Sequence, residues 1–265
     1  FMKYLRSALP SAYNNARQAL GKQAGKAEIP WEVRPGAHYS MGGIRVDENA
    51  RVYQSDKDLN NPKIIKGLYA AGQAMGGLFG ANRLGSTSLT ELAVFGYRAG
   101  KSAAENVKNY KAKNHRDLFH EHYSYYEKMF SRKGKLKVYK LKLELQKKCW
   151  DNIGPARTEK KLKKMLYYLS KLELKLEKVS IPEDKIWNQQ FIDMVELKNM
   201  IDAAKAVTLA SLKRDKSVGG HVRLDKKTSS LLSKPYSTLV KINNQNSYQA
   251  LKLNRERTPI KRILF

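Results

Sequence analysis

Apolar positions recur three and four residues apart along most of this chain, and where that rhythm stops glycine takes over. Near the start, Leu9, Ala12, Ala16 and Leu20 keep the helical spacing, which predicts a helix over "LPSAYNNARQALGKQ". From 29 to 54 the pattern changes. Pro30 and Pro35 exclude a helix, so the stretch reads as extended, with a polar hairpin turn inside "IRVDENARVYQ". "GLYAAG" (67–72) then reads as a short apolar strand opening into small residues, the strand-to-loop step of a nucleotide-binding α/β unit. In "GANRLGSTSLTEL" (80–92), two glycines, one arginine and a run of hydroxyls lead into a helix. Ser88 and Glu91 have capping-box spacing, and Leu89, Leu92, Ala93, Gly96, Ala99 and Ala103 mark one apolar face of a helix reaching Lys108. A flexible loop at the positive end of a helix is a place to hold an anion.

The second half is helical in pattern. "KVYKLKLELQKKCW", "TEKKLKKMLYYLSKLELKLEKV" and "NQQFIDMVELKNMIDAAKAVTLASLKR" predict three helices, separated by Gly154-Pro155 and by Pro182. In the last, Phe191, Met194, Leu197, Ile201, Ala204 and Val207 keep the period. Beyond Lys226 the chain is rich in Ser, Asn and Lys, and no regular structure is predicted there.

Composition supports a packed core, with 42% hydrophobic residues in 265. The formal charge of +27 suggests an acidic partner, but its distribution is uneven. Residues 1–110 carry 15 basic and 8 acidic side chains, and 111–265 carry 36 and 16, so the excess lies away from the glycine loops. A single cysteine, Cys149, excludes an internal disulfide framework and argues against a Cys-based metal centre. No apolar run approaches the roughly 18 residues of a membrane helix, and "FMKYLRSALP" has no signal-peptide pattern. An initial Phe points to a piece of a longer protein.

Three strings, "IPWEVRPGAHYSMGGIRVD", "GLYAAGQAMGG" and "GANRLGSTSLTELAVFGYRAG", occur in this order and closely resemble the flavoprotein subunit of succinate dehydrogenase and fumarate reductase. "ELQKKCWDNIG" and "VELKNMIDAAKAVTLASLKRDKSVGGHVRLD" resemble its C-terminal helical domain, and the likeness runs from about Leu9 to Asp225. The resemblance implies an α/β plus all-α class: the C-terminal part of an FAD-binding Rossmann-like domain followed by a helical domain. Residues 1–30 would end the capping domain, 31–110 form the returning part of the FAD-binding domain, 111–225 the helical domain and 226–265 an irregular basic tail. The family's G-x-G-x-x-G segment, its flavin-linked histidine and its proton-shuttling catalytic arginine are not in this chain.

Succinate oxidation removes a hydride and a proton from adjacent carbons, so the site must fix two carboxylates and exclude water. By resemblance, Arg83 and His38 bind the dicarboxylate substrate: arginine offers a bidentate fork, and histidine a second donor. Alone, Arg83 would read as a surface ion-pair residue and His38 as a structural histidine. The resemblance also places Ser88 and Leu89 against the flavin of FAD, where a positive helix end favours negative charge on the reduced ring. Gln73 stands where the family usually has Glu on the adenosine ribose, which keeps one acceptor oxygen and loses its charge. Lys216 and Val218 likewise replace the family's common Glu and Arg.

His115, His120, His122 and His221 have no metal-site spacing and read as exposed polar residues. Lys160, Lys161, Lys163 and Lys164 beside Tyr167 and Tyr168 raise nucleic-acid binding as a competing idea, but a solvated helix face is the simpler account, and no nucleic-acid partner is expected. The expected partners are an iron–sulfur subunit, membrane anchor subunits indirectly, and a polypeptide with the N-terminal half if the subunit is split. The expected place is peripheral, on the inner face of a respiratory membrane. The resemblance implies succinate oxidation, with electrons passed to iron–sulfur clusters and quinone; a fumarate reductase, an L-aspartate oxidase-like flavoenzyme and a non-catalytic scaffold piece of a split subunit are the alternatives.

Overall fold

The computed structural model describes residues 2–26, 28–30, 39–54, 61–109, 116–226, 235–242 and 248–254. The chain divides into two compact units, Phe1–Ser40 and Met41–Phe265. In the first, helices α1 (Met2–Ala8), α2 (Pro10–Leu20) and α3 (Lys22–Gly25) follow one another. Pro10 opens α2, where its missing N–H costs nothing. Gly21, at φ +91, ends it and donates to the Arg17 carbonyl.

The second unit begins with short strands. β1 (Ile44–Arg45) pairs in parallel with β4 (Met75–Gly76), and β2 (Arg51–Tyr53) pairs antiparallel with β3 (Ile64–Tyr69). The predicted turn is present: Asp47 and Arg51 bond through N–H to carbonyl at 3.0 Å, and Val46 bridges Val52. Asp47, almost buried, also accepts from the backbone N–H groups of Asn49 and Arg51 and from the Arg51 guanidinium. The apolar strand runs from 64 to 69, ahead of the predicted 67–72, because Gly72 at φ +65 turns the chain into a 3₁₀ turn, Gly72–Ala74.

Helix α4 (Thr87–Val107) ends where the period predicts but does not start there. Its N-cap is Ser86 at φ +66, with no side-chain cap bond, and Ser88 lies inside the first turn. The expected capping box is therefore corrected. Glu91, 3% exposed, directs its carboxylate to the Gly72 N–H at 2.9 Å, where a buried amide needs an acceptor. The predicted apolar face is also largely uncovered, since Leu89 is 73% and Leu92 45% exposed.

The three predicted helices are α6 (Val138–Ile153), α7 (Glu159–Leu176) and α8 (Gln189–Lys213). Leu162, Met165, Leu169, Leu172 and Leu176 of α7 are all buried, and so are Met194, Leu197, Ile201 and Ala204 of α8. This three–four alternation packs each helix on its neighbours, at roughly 1.5–3 kcal/mol per large buried side chain. Thr158 caps α7 through the Lys161 N–H, and Asn188 caps α8 through the Phe191 N–H. Lys142 bridges to Asp193 (2.9 Å) and Glu196, and Lys205 pairs with Glu173, so the lysine-rich faces also tie helices together.

Two expectations change in this region. Residues 116–130, where the sequence pattern predicts no element, form α5 (Arg116–Phe130), whose Phe130 ring stacks on Phe191 at 5.1 Å. Its apolar positions are mostly exposed aromatics, which blur the helical signal. The tail is not irregular throughout: β7 (Tyr236–Ile242) and β8 (Tyr248–Asn254) form an antiparallel hairpin against α8. Tyr248 donates to Asp202 at 2.8 Å and Leu253 is buried, so the hairpin is held by α8 rather than by its own propensity. Short β5 (Ala156–Arg157) and β6 (Val222–Arg223) pair in parallel beside the α6–α7 turn. Among the described residues, no helix is long and apolar enough to cross a membrane.

Candidate functional site

The glycine motifs, far apart in sequence, are joined by backbone contact. A Cβ on Gly43 would lie 2.5 Å from the Ala74 carbonyl oxygen, and one on Gly76 would lie 2.5 Å from the Gly43 nitrogen. Only glycine permits this approach. It sets "MGG" at 41–43 against "QAMGG" at 73–77. Gly72 is covered by Leu92, whose Cδ2 would be 2.4 Å from an added Cβ, so the strand end, the turn and α4 are locked together.

From Gly77 (φ +107) to Gly80 (φ +58) the chain turns into the arginine loop, and no atom within 4 Å would meet a Cβ at Gly77, Gly80 or Gly85. Thr87 Oγ1 donates to the Leu84 carbonyl at 2.8 Å and closes the loop onto α4. The Arg83 N–H donates to Asn82 Oδ1, and Arg83 Nη1 donates to Ser88 Oγ at 2.5 Å. The structure thus unites two of the predicted residues, Arg83 and Ser88, both half-buried. Leu89 stands exposed on the same first turn of α4, and Gln73 is exposed on the 3₁₀ turn. His38 lies outside the described residues, as does His115.

These residues suit FAD. Open glycine positions leave backbone accessible to a ligand, the start of a 21-residue helix offers amide donors, and Leu78, Leu84 and Leu89 of the loop and first helical turn are each exposed. Gln73 supplies an exposed amide for a hydroxyl.

The sequence pattern assigned Glu91 a capping role where the structure has it accepting from the Gly72 N–H, and it read His221 as exposed. His221 is not an exposed polar residue: it is 9% exposed, and burial beside arginines pushes its pKa down to about 4. His120 and His122 are exposed on α5, and no group of acidic, histidine or cysteine side chains among the described residues is arranged to hold a metal. Burial pushes the Cys149 thiol up to about 11, away from the thiolate form that reacts or binds metal.

With this geometry in place, the comparisons with known proteins are specific. Residues 1–89 match the FAD binding domain family, and residues 142–262 match the family described as fumarate reductase flavoprotein C-term. A CoM/CoB fumarate reductase subunit of Methanothermobacter marburgensis is 35% identical over 196 residues, 74% of this chain and 34% of that protein. The succinate dehydrogenase flavoprotein subunit of Rickettsia conorii is 32% identical over 227 residues, 83% of this chain and 37% of that protein. The FrdA chain of E. coli quinol fumarate reductase superposes with a TM-score of 0.85 at 27% identity, covering 97% of this chain and 43% of that one. The Sdh1 complex of Mycobacterium smegmatis gives 0.76 at 27% identity, over 97% and 42%. The chain spans about a third of the length of these curated relatives. It belongs to the family of FAD-containing flavoprotein subunits of succinate dehydrogenase and fumarate reductase.

Proposed function

We propose that this chain supplies the dicarboxylate clamp and part of the flavin cradle of a succinate–fumarate oxidoreductase. The Arg83–Ser88 bond at the start of α4 carries the reading. Ser88 fixes the bearing of the guanidinium fork proposed to grip a substrate carboxylate, which lowers the entropy lost on binding. His38 is proposed as the second donor on the substrate. Ser88 and Leu89 face the flavin, and Gln73 takes a ribose hydroxyl. When bound, FAD accepts or donates the electron pair exchanged with the dicarboxylate.

The proposed architecture is residues 1–30 as the end of a capping domain, 31–110 as the returning part of the FAD-binding domain and 111–225 as the helical domain. The proposed partners are an iron–sulfur subunit, membrane anchors behind it and, if the subunit is split, a polypeptide with the N-terminal half. Together they pass electrons between succinate and quinone on the inner face of a respiratory membrane. The solved relatives named as complexes with quinol or quinone support this reading. Succinate oxidation is the proposed direction and fumarate reduction the alternative, since relatives of both names are similar to the chain, at 32% and 35% identity. The native complex containing this chain, assayed for succinate-dependent dye reduction and fumarate-dependent oxidation of a reduced dye, tests both. Loss of both activities in a flavin-loaded complex would overturn the proposal, and their ratio gives the direction.

A further inference from the structure

The helical region meets the arginine loop through a glycine hairpin. Val218 and His221 exchange both backbone hydrogen bonds, at 2.8 and 3.0 Å, so Gly219-Gly220 is a two-residue turn, with Gly219 at φ +54. Its base is fixed from several sides. Arg157 Nη1 donates to His221 Nδ1 at 2.7 Å, and because arginine can only donate, Nε2 carries the histidine proton and donates to the Arg214 carbonyl at 3.1 Å. The Val222 N–H donates to the Pro155 carbonyl at 3.0 Å, and the Arg223 N–H to Ser217 Oγ at 2.8 Å. The buried Arg223 guanidinium binds the carbonyls of Ser211 and Arg214 together with Asp225.

The tip of this braced hairpin presses on Ala81. A Cβ at residue 219 would stand 2.1 Å from the Ala81 carbonyl oxygen and 3.0 Å from its Cβ, and the Gly220 N–H points at the same oxygen at 3.4 Å. A Cβ on Gly220 would meet only Met41 Cε, at an ordinary 3.7 Å. Ala81 precedes Arg83 by two residues, in a loop where Gly80, Ala81, Asn82, Leu84 and Gly85 are all exposed. The Ser88 and Thr87 bonds tie the C-terminal side of this loop to α4, the hairpin contact at Ala81 adds an anchor on its other side, and a productive site needs its groups held to about 0.5 Å.

We propose that the Val218–His221 hairpin is the strut that sets the position of the Arg83 loop, with Gly219 as a positioning residue for dicarboxylate binding. The helical region then controls substrate affinity without touching substrate. This rests on Arg83 being the carboxylate clamp, and the test separates the two ideas.

In the assembled, flavin-loaded complex, Gly219→Ala is expected to raise KM for succinate and Kd for the unreactive dicarboxylate malonate by about tenfold, with a smaller change in kcat, since a displacement near 1 Å at a reacting centre costs up to about 10²-fold. Gly220→Ala should stay within about twofold, and Gly21→Ala, which carries backbone strain at φ +91 in open space, should leave both constants unchanged. In an Arg83→Ala background the Gly219→Ala effect should vanish. If Arg83→Ala alone leaves malonate binding intact, the clamp reading fails. If Arg83→Ala weakens malonate while Gly219→Ala lowers only Tm, the strut fails. Hydrogen exchange on the unmodified complex serves if the variant does not assemble: malonate should protect 80–84 and Gly220 together, and protection confined to 80–84 would overturn the strut.

Discussion

Arg83 Nη1 donates to Ser88 Oγ across 2.5 Å, so the loop cation and the first turn of α4 form one polar unit. A guanidinium tied to a helix start keeps a fixed bearing, which is what a carboxylate clamp requires.

Removing that clamp should therefore be severe. In the assembled complex, Arg83→Ala is expected to lower kcat/KM for succinate by about 3–5 kcal/mol, a loss of two to four orders of magnitude. Arg83→Lys should recover little, because an ammonium lacks the bidentate fork. Steady-state kinetics with both variants decides it, and near-normal turnover in Arg83→Ala would remove this residue from the site.

Gln73 is exposed on the 3₁₀ turn, so a charge can be introduced there without a burial cost. Gln73→Glu should bind FAD as tightly or more tightly, since an ionised acceptor makes the stronger bond to a hydroxyl. Fluorescence titration of the deflavinated complex measures this. Weaker binding would show a site adapted to the amide.

Glu91 is buried and is an acceptor for the Gly72 N–H, so its loss strands an amide inside the fold. Glu91→Ala should cost about 1–3 kcal/mol, and Glu91→Gln, which keeps a carbonyl acceptor, clearly less. Chemical denaturation of the two variants gives the difference. Equal losses would mean that the charge, not the acceptor, matters.

His221 predicts a pH dependence. Its folded pKa is pushed down to about 4, below the ordinary 6.5, so between these values the unfolded chain binds the extra proton. Stability is full above about pH 6.5 and declines as pH falls toward 4, by an amount on the order of 3 kcal/mol for this group. Unfolding free energies across that window, compared with those of His221→Gln, should show a shallower slope in the variant. An unchanged slope would assign the acid sensitivity to other groups.

Period and punctuation alone located α2, α4, α6, α7 and α8, because Leu162 through Leu176 and Met194 through Ala204 repeat at the spacing that one buried face demands. The string "GANRLGSTSL" likewise carried the family and its arginine, since loop glycines and a following helix are written locally. Other features depended on what the chain meets in space. Glu91 left the capping box because a buried amide at Gly72, 19 residues away, lacked an acceptor. The hairpin of β7 and β8 formed where the composition suggested none, because α8 covers one side of it. His221 moved from surface to interior because Arg157 and the Arg214 carbonyl satisfy both of its nitrogens. Local sequence sets backbone preference and the period of burial, but a polar group's partner is chosen by tertiary packing, which brings Gly219 to Ala81 across 138 residues of chain.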